Sequence, residues 1–365
     1  MARLVTVKDI ARRAAVSIAT VSRALNNADN ITEEVRKRVI EAAEDLGYFK
    51  SMVVRNAERP LKKVGFLLCY SHSSSKGTDD FFWTHILYGA EAQARKANIQ
   101  IIFQGVLDQS PYQLRAQIHE MRADGILLVG PSDEETIRTI QKANIPLVLI
   151  DNYLSDVEQK VDAVLSDNYE GARQIVKYLI SQGHRQIAYI GGYKKGNPTR
   201  PIYSFEWRKK GYCAALAEAG LPINPKLMQE CDFRQSDEIY GACRNLVEMQ
   251  EPLSAIFCAN DPAAIWTIKS LRRCGRRVPE DISVVGFDNV EMAEHVVPPL
   301  TTMHVHKEAM GATGVKALIA QAADPDAINV THILGVDLII RDSVRLYQHD
   351  MQSQQPDIQI GESFA

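Results

Sequence analysis

Between residues 64 and 290, short apolar runs alternate with amphipathic stretches of helical length, and this pattern restricts the possible folds more than any other feature of the chain. Residues 64–70, 100–103, 125–129 and 147–151 are such runs, separated by stretches (86–97 and 112–122) whose apolar positions recur at helical spacing. A second series follows, with 187–191, 255–259 and 283–287 as strands and 169–182, 206–219 and 262–274 as helices. Runs without polar alternation read as strands covered on both faces, as in a parallel sheet sandwiched by helices. The expected body is therefore α/β, built as two doubly wound parallel-sheet lobes. Open sheets of this kind bind ligands beyond the carboxyl ends of their strands. Asp151, Asn260, Asp261 and Asp288 stand at such ends, where carboxylates can accept from ligand hydroxyls. Arg208 supplies donors, and Phe82, Trp83 and Phe233 supply apolar faces for a flat ring. Singly, each strand-end carboxylate could equally be a turn former or helix cap, and Asp261 in particular could cap the helix that begins at Pro262.

The first sixty residues follow a different rhythm. Thr6 and Asp9 have capping-box spacing, and Val7, Ile10, Ala11 and Ala14 share one helical face. Ser17 then caps a second helix over 17–26, with Val21 and Leu25 inward and Ile18, Ala19, Ser22, Arg23 and Asn26 facing elsewhere. Thr32 caps a third, with Glu33 and Glu34 in its first turn and Val35, Val39, Ala43 and Leu46 buried before Gly47 ends it. Two short helices joined by a tight turn, closed by a third, make a helix-turn-helix head. Its second helix suits a DNA groove: small residues permit close approach, Ser17 and Ser22 can meet phosphates, and Arg23 can reach a guanine edge with two hydrogen bonds. On this pattern alone, a three-helix interaction module with an ordinary polar face remains open.

Charge and motif content narrow the function classes. The net charge is −3 over 365 residues, yet residues 1–59 hold 11 Lys and Arg against 8 Asp and Glu, leaving a basic head on an acidic body. No apolar run is long enough to span a membrane and no secretory leader is evident, so a cytoplasmic location is expected. The six cysteines lack CxxC spacing and read as buried small hydrophobes. No dinucleotide loop, P-loop, nucleophile elbow or HExxH motif occurs, so no catalytic residue or cofactor is expected. His304 and His306 alternate as strand neighbours without a third ligand, and a structural role is expected rather than a metal site.

The residues 6–11 (Thr-Val-Lys-Asp-Ile-Ala) and 16–26 (Val-Ser-Ile-Ala-Thr-Val-Ser-Arg-Ala-Leu-Asn) closely resemble the DNA-binding head of the lactose-repressor (LacI/GalR) family. The resemblance continues through Thr32 to Tyr48 and into the body at Gly183-His184, 187–192, Arg208, 259–261, 278–288 and 299–302. It implies a sequence-specific transcriptional regulator, a repressor by expectation, that binds double-stranded operator DNA as a homodimer, with a tetramer as the alternative. The DNA-contacting positions so implied are Thr6, Ser17, Ile18, Ala19, Thr20, Ser22, Arg23 and Asn26, and the effector positions are Phe82, Trp83, Asp151, Arg208, Phe233, Asn260 and Asp288. A carbohydrate effector is the leading expectation and a nucleoside or purine the second. The rival within the same body fold, an exported sugar-binding protein, is opposed by the DNA-reading head.

Implied boundaries are a head at 1–49, a hinge at 50–63, and an effector-binding and dimerisation body at 64–345. The N-lobe would take 64–162 and 292–324, the C-lobe 163–290 and 328–342, and 346–365 reads as a disordered polar tail. The hinge departs from the family pattern. Family members carry a leucine there that wedges into the minor groove, whereas this chain has Ala57, with Met52 and Val54 as the remaining apolar candidates. A methyl group is a poor wedge, because unstacking a base step costs a few kcal/mol and needs an apolar insertion to offset it.

Overall fold

The computed structural model describes residues 5–25, 31–48, 61–70, 80–107, 110–154, 161–192, 202–232, 235–249 and 253–347. Asn26, Val54, Ala57, Phe233 and the tail lie outside these residues.

Among the described residues, three helices form the head: α1 (Val7–Ala14), α2 (Ile18–Leu25) and α3 (Glu33–Asp45). The amide and hydroxyl of Thr6 both donate to the Asp9 carboxylate, at 2.9 and 2.6 Å, which fastens the start of α1. Ser17 Oγ accepts from the Thr20 amide at 3.0 Å and so caps α2. Ile10, Ala14, Val21, Ala24, Leu25, Val39 and Ala43 close one small core. Arg36, Ile40 and Ala42 of α3 are buried as well, although they lie off the expected stripe.

In the body, β1 (Lys63–Tyr70), β2 (Gln100–Leu107), β3 (Gly125–Val129) and β4 (Leu147–Ile150) alternate with α4 (Asp80–Lys96), α5 (Pro111–Met121) and α6 (Glu134–Gln141). β5 (Asp162–Ser166) follows and is buried along its whole length. The next segments are α7 (Asn168–Ser181), β6 (Ile187–Gly192), α8 (Tyr203–Glu218), β7 (Met228–Cys231), α9 (Ser236–Glu248), β8 (Ala255–Cys258), α10 (Asp261–Arg273) and β9 (Ser283–Val285). The chain then runs through α11 (Met292–His295), β10 (Thr302–Val305), α12 (Lys307–Ala323), β11 (Thr331–Leu334) and β12 (Val336–Ile339). The N-lobe sheet has strand order β11-β5-β4-β3-β1-β2 and the C-lobe sheet β7-β6-β8-β9, all pairs parallel.

The lobe boundaries differ from those expected. β5 pairs with β4, and β11 pairs with β5, so 162–166 and 331–334 both belong to the N-lobe sheet. β10 follows the edge of the C-lobe sheet through the bridges Val285–Thr301 and Asp288–His304, then pairs antiparallel with β12. The crossings therefore fall near 167, 306 and 335 rather than near 162, 290 and 326. The physical reason is local: β5 offers only Ala163-Val164-Leu165 as an apolar run, and β11 is a half-exposed edge strand without one.

Helices α4 and α12 approach with backbones in contact, because glycine stands at both crossing points. A Cβ on Gly89 would meet the Glu308 carbonyl oxygen, and one on Gly311 would meet that of Ile86. Gly311→Ala should therefore force the helices apart and lower stability by at least about 1–3 kcal/mol, the usual cost of overpacking. Urea unfolding of the variant measures it, and a loss of only a few tenths would show that the crossing is loose.

The segment ending at Tyr347 straps onto the C-lobe at His184. Its Nε2 faces the Arg345 carbonyl at 3.2 Å and must carry the proton, which leaves Nδ1 to accept from the Ser254 hydroxyl at 3.0 Å. Burial lowers the pKa of this ring from 6.5 to about 4. The unfolded chain thus binds the extra proton first, so stability should fall as pH drops below about 6.5 and level off below about 4. In His184→Gln that component of the urea midpoint's pH dependence should disappear.

Candidate functional site

Two surfaces carry the residues singled out from the sequence. On the head, Ser17, Ile18, Ala19, Ser22 and Arg23 are exposed along one side of α2, and Thr6 is exposed at the start of α1. Thr20 is half-buried, its hydroxyl hydrogen-bonded to that of Ser17 at 2.8 Å, so both act in the cap before anything else. The first turn of α2 has no acidic side chain to neutralise its positive end, which favours a phosphate there. Ile18 is the large apolar residue on this face, suited to a thymine methyl, and Arg23 lies in the last turn.

In the body, the ends of β4 and β9 bring Asp151 and Asp288 into the field of one buried arginine. Asp151 follows β4 and is only 6% exposed, with a left-handed backbone (φ 54°) and no hydrogen-bond partner for Oδ1. Opposite it, from α8, comes Arg208, which is 1% exposed. Its Nε donates to Asn168 Oδ1 at 2.8 Å, its Nη1 to the Ala259 carbonyl at 2.6 Å, and its Nη2 pairs with Asp288 Oδ1 at 2.9 Å. The guanidinium lies 3.8 Å from the centre of the Phe287 ring. Burial pushes the Asp151 carboxyl up to about 7, the Arg208 charge pulling against this and Asp288 adding to it. Asp288 is raised for the same first reason, with Arg208 and Lys307 opposing.

Asp288 and Asn289 both have positive φ, 109° and 50°, so the turn after β9 is strained. Lys307 holds it: the buried ammonium donates to the carbonyls of Asp288 and Asn289 at 2.6 and 3.1 Å. Arg341 adds a bond to Asn289 Oδ1 at 2.8 Å. Neither cation stood out in the sequence, where an ordinary Lys or Arg gives no hint of burial.

Phe82 and Trp83 meet edge to face at 4.8 Å, with Trp83 lying over Gly130 at the end of β3. Asn260 Oδ1 accepts from the Ala263 amide at 3.0 Å and thereby caps α10. The capping role foreseen for Asp261 thus falls to its neighbour. Asp261 instead accepts from the Val290 amide at 2.8 Å and the Thr302 hydroxyl at 2.5 Å, locking β10 to the C-lobe. Tyr153 and Tyr203 stack across the lobes with ring centres 5.3 Å apart, and Trp207 continues the row from Tyr203 at 5.9 Å. These aromatics were not foreseen; their pairing joins positions fifty residues apart and leaves no local signal. Among the described residues no group of three or more His, Cys, Asp or Glu could hold a metal. His304 instead bonds Asn289 at 3.0 Å and His306 pairs with Asp337 at 2.9 Å. No described helix is long and apolar enough to cross a membrane.

A helix-turn-helix head on a two-lobed α/β body matches known proteins along its length. Residues 6–51 match the model of bacterial regulatory proteins of the lacI family, and 176–344 that of a periplasmic binding protein-like domain. The probable HTH-type transcriptional repressor ExuR of Bacillus subtilis is 31% identical over 344 residues, covering 94% of this chain and 99% of that protein. The chain belongs to the LacI family. The HTH-type transcriptional repressor PurR of Photobacterium profundum is likewise 31% identical, over 94% of this chain and 99% of its own length. Among solved structures, the transcriptional regulator CelR in complex with cellobiose superposes with a TM-score of 0.69 at 28% identity, covering 93% of this chain and 99% of that one. The protein is accordingly a DNA-binding transcriptional repressor of the LacI family.

Proposed function

We propose that this LacI-family repressor reads operator DNA through Thr6, Ser17, Ile18, Ala19, Thr20, Ser22 and Arg23, under the control of a neutral sugar held between the lobes. Asn26, Phe233 and the hinge positions Val54 and Ala57 belong to the same proposal on sequence grounds alone. The observation that carries the effector reading is the buried, unpartnered Oδ1 of Asp151 facing the Arg208–Asp288 pair. A buried oxygen without a donor favours a ligand that brings one. Sugar hydroxyls do so, while Phe82 and Trp83 offer a face to the ring. Arg208 is already engaged by Asn168, the Ala259 carbonyl and Asp288, and Lys307 by the carbonyls of Asp288 and Asn289, which disfavours sugar acids and sugar phosphates. The cellobiose in the CelR complex supports a carbohydrate. A purine is the second reading, because the same aromatic pair accepts a flat heterocycle.

Thermal unfolding against neutral sugars, sugar acids, sugar phosphates, nucleosides and purines separates these. Ligand at about a hundred times its dissociation constant stabilises by ~2.7 kcal/mol, a shift of several degrees. A neutral sugar is expected to give it; a shift with purines alone overturns the sugar reading. Asp151 sharpens the test through pH. Hydroxyl donors prefer its ionised form, so affinity for the sugar should rise between pH 6 and 8, about the value of 7 to which burial lifts this carboxyl. A fall over that range would mean that the ligand accepts from a protonated Asp151.

Dimerisation belongs to the same proposal. Phe81 (46% exposed), Tyr88 (61%) and Phe103 (46%) leave the α4–β2 edge of the N-lobe apolar, and Met292 and Val297 do so for the C-lobe. Sedimentation should give twice the chain mass of 40.8 kDa, and a monomer at micromolar concentration would count against two heads on one operator.

A further inference from the structure

Helix α5 has two buried sides. Leu114, Ile118 and Met121 pack into the N-lobe with Leu67, Val106 and Ile126. Tyr112, Ala116 and His119, at i, i+4 and i+7, form a second stripe that contributes nothing to that cluster. Ala116 is 7% exposed, and the atoms covering it belong to the head: it is buried in one cluster with Ile10, Val21, Leu25, Val39 and Ile40. Tyr112 packs against the same cluster, and its hydroxyl sits in the field of Arg36 and Glu33 of α3. The His119 ring donates to the backbone carbonyl of Leu25, the last residue of α2. This accounts for the burial of Arg36 and Ile40, which lie off the stripe that the three-helix core requires.

We propose that α5 is a docking platform for the chain's own head, so that without DNA the head and N-lobe form one body. The side of α2 that bears Ile18, Ala19, Ser22 and Arg23 stays exposed, so docking presents the reading face instead of covering it. A shift of the N-lobe then reaches the head through a packed contact, with no requirement for an apolar wedge in the linker, where Ala57 replaces leucine. Docking rests on geometry outside the cleft and stands whichever effector the cleft binds.

Hydrogen exchange of the full chain without DNA tests this. Head amides exchange after the head leaves α5 and opens, so docking adds to their protection. Ala116→Glu puts a carboxylate into the apolar contact, whereas on an undocked lobe the same position is a solvent-facing helix site that glutamate suits. Peptides from 7–45 should exchange at least about tenfold faster, with β3 and β4 unchanged. Head rates within about twofold of the parent protein overturn the proposal. Should β3 and β4 also accelerate, Tyr112→Ala, which removes contact without inserting charge, decides by the same two readouts.

Discussion

Arg208→Ala is expected to lower the unfolding free energy by about 3–5 kcal/mol and to abolish the response to effector. The size follows from what the guanidinium holds. It fixes Asn168, the Ala259 carbonyl and Asp288 at once and stacks on Phe287, all with 1% of the residue exposed. Its removal leaves Asp151 and Asp288 buried in each other's field without the cation that opposes burial of both. Protonation of one carboxyl relieves part of the cost, so the loss should be smaller at pH 5 than at pH 8. Arg208→Lys keeps the charge but cannot reproduce two directed hydrogen bonds and an ion pair at once, and should fall between the two. Urea unfolding measures the first effect and calorimetric titration with the stabilising sugar the second. Stability within about 1 kcal/mol of the parent would mean that the pair with Asp288 is not a buried one.

Arg23→Ala should cost about 1–3 kcal/mol in discrimination between the preferred operator and a variant at a single base pair. Arg23 is exposed in the last turn of α2, and its absence disturbs no part of the head core. The loss should therefore fall on specific binding while binding to unrelated DNA changes little at fixed salt. A phosphate contact would behave oppositely, weakening both kinds of binding and flattening the salt dependence. Competition titrations at two salt concentrations distinguish them, and undiminished base preference in the variant would remove Arg23 from the reading set.

The features readable from the sequence are those whose physics is local. Ser17 caps α2 through its own side chain, and the strands at 125–129 and 147–150 announce themselves as apolar runs because both faces are covered. Asp151, Asn260, Asp261 and Asp288 are legible as strand ends, with Arg208 as the donor beside them; the structure sets Arg208 between Asp151 and Asp288 and turns Asn260 and Asp261 to a helix cap and a strand lock. What escaped depends on partners far along the chain. β11 alternates exposed and half-buried residues and joins the N-lobe only by pairing with β5, which moved the lobe crossings. Lys307 looks like the first residue of a helix until its ammonium is found under the Asp288 turn. The second stripe of α5 is legible as Tyr112, Ala116 and His119 on one face, but the sequence does not say that the head covers it.

The most direct test of ligand-controlled repression is selection of duplexes from a randomised pool by the full-length protein, repeated with the sugar that stabilises the body. The expected result is a pseudo-palindromic site whose affinity changes by about 5–150-fold with the sugar, equal to a coupling of 1–3 kcal/mol. No enriched sequence, or an enriched site indifferent to every ligand that binds the cleft, would contradict it.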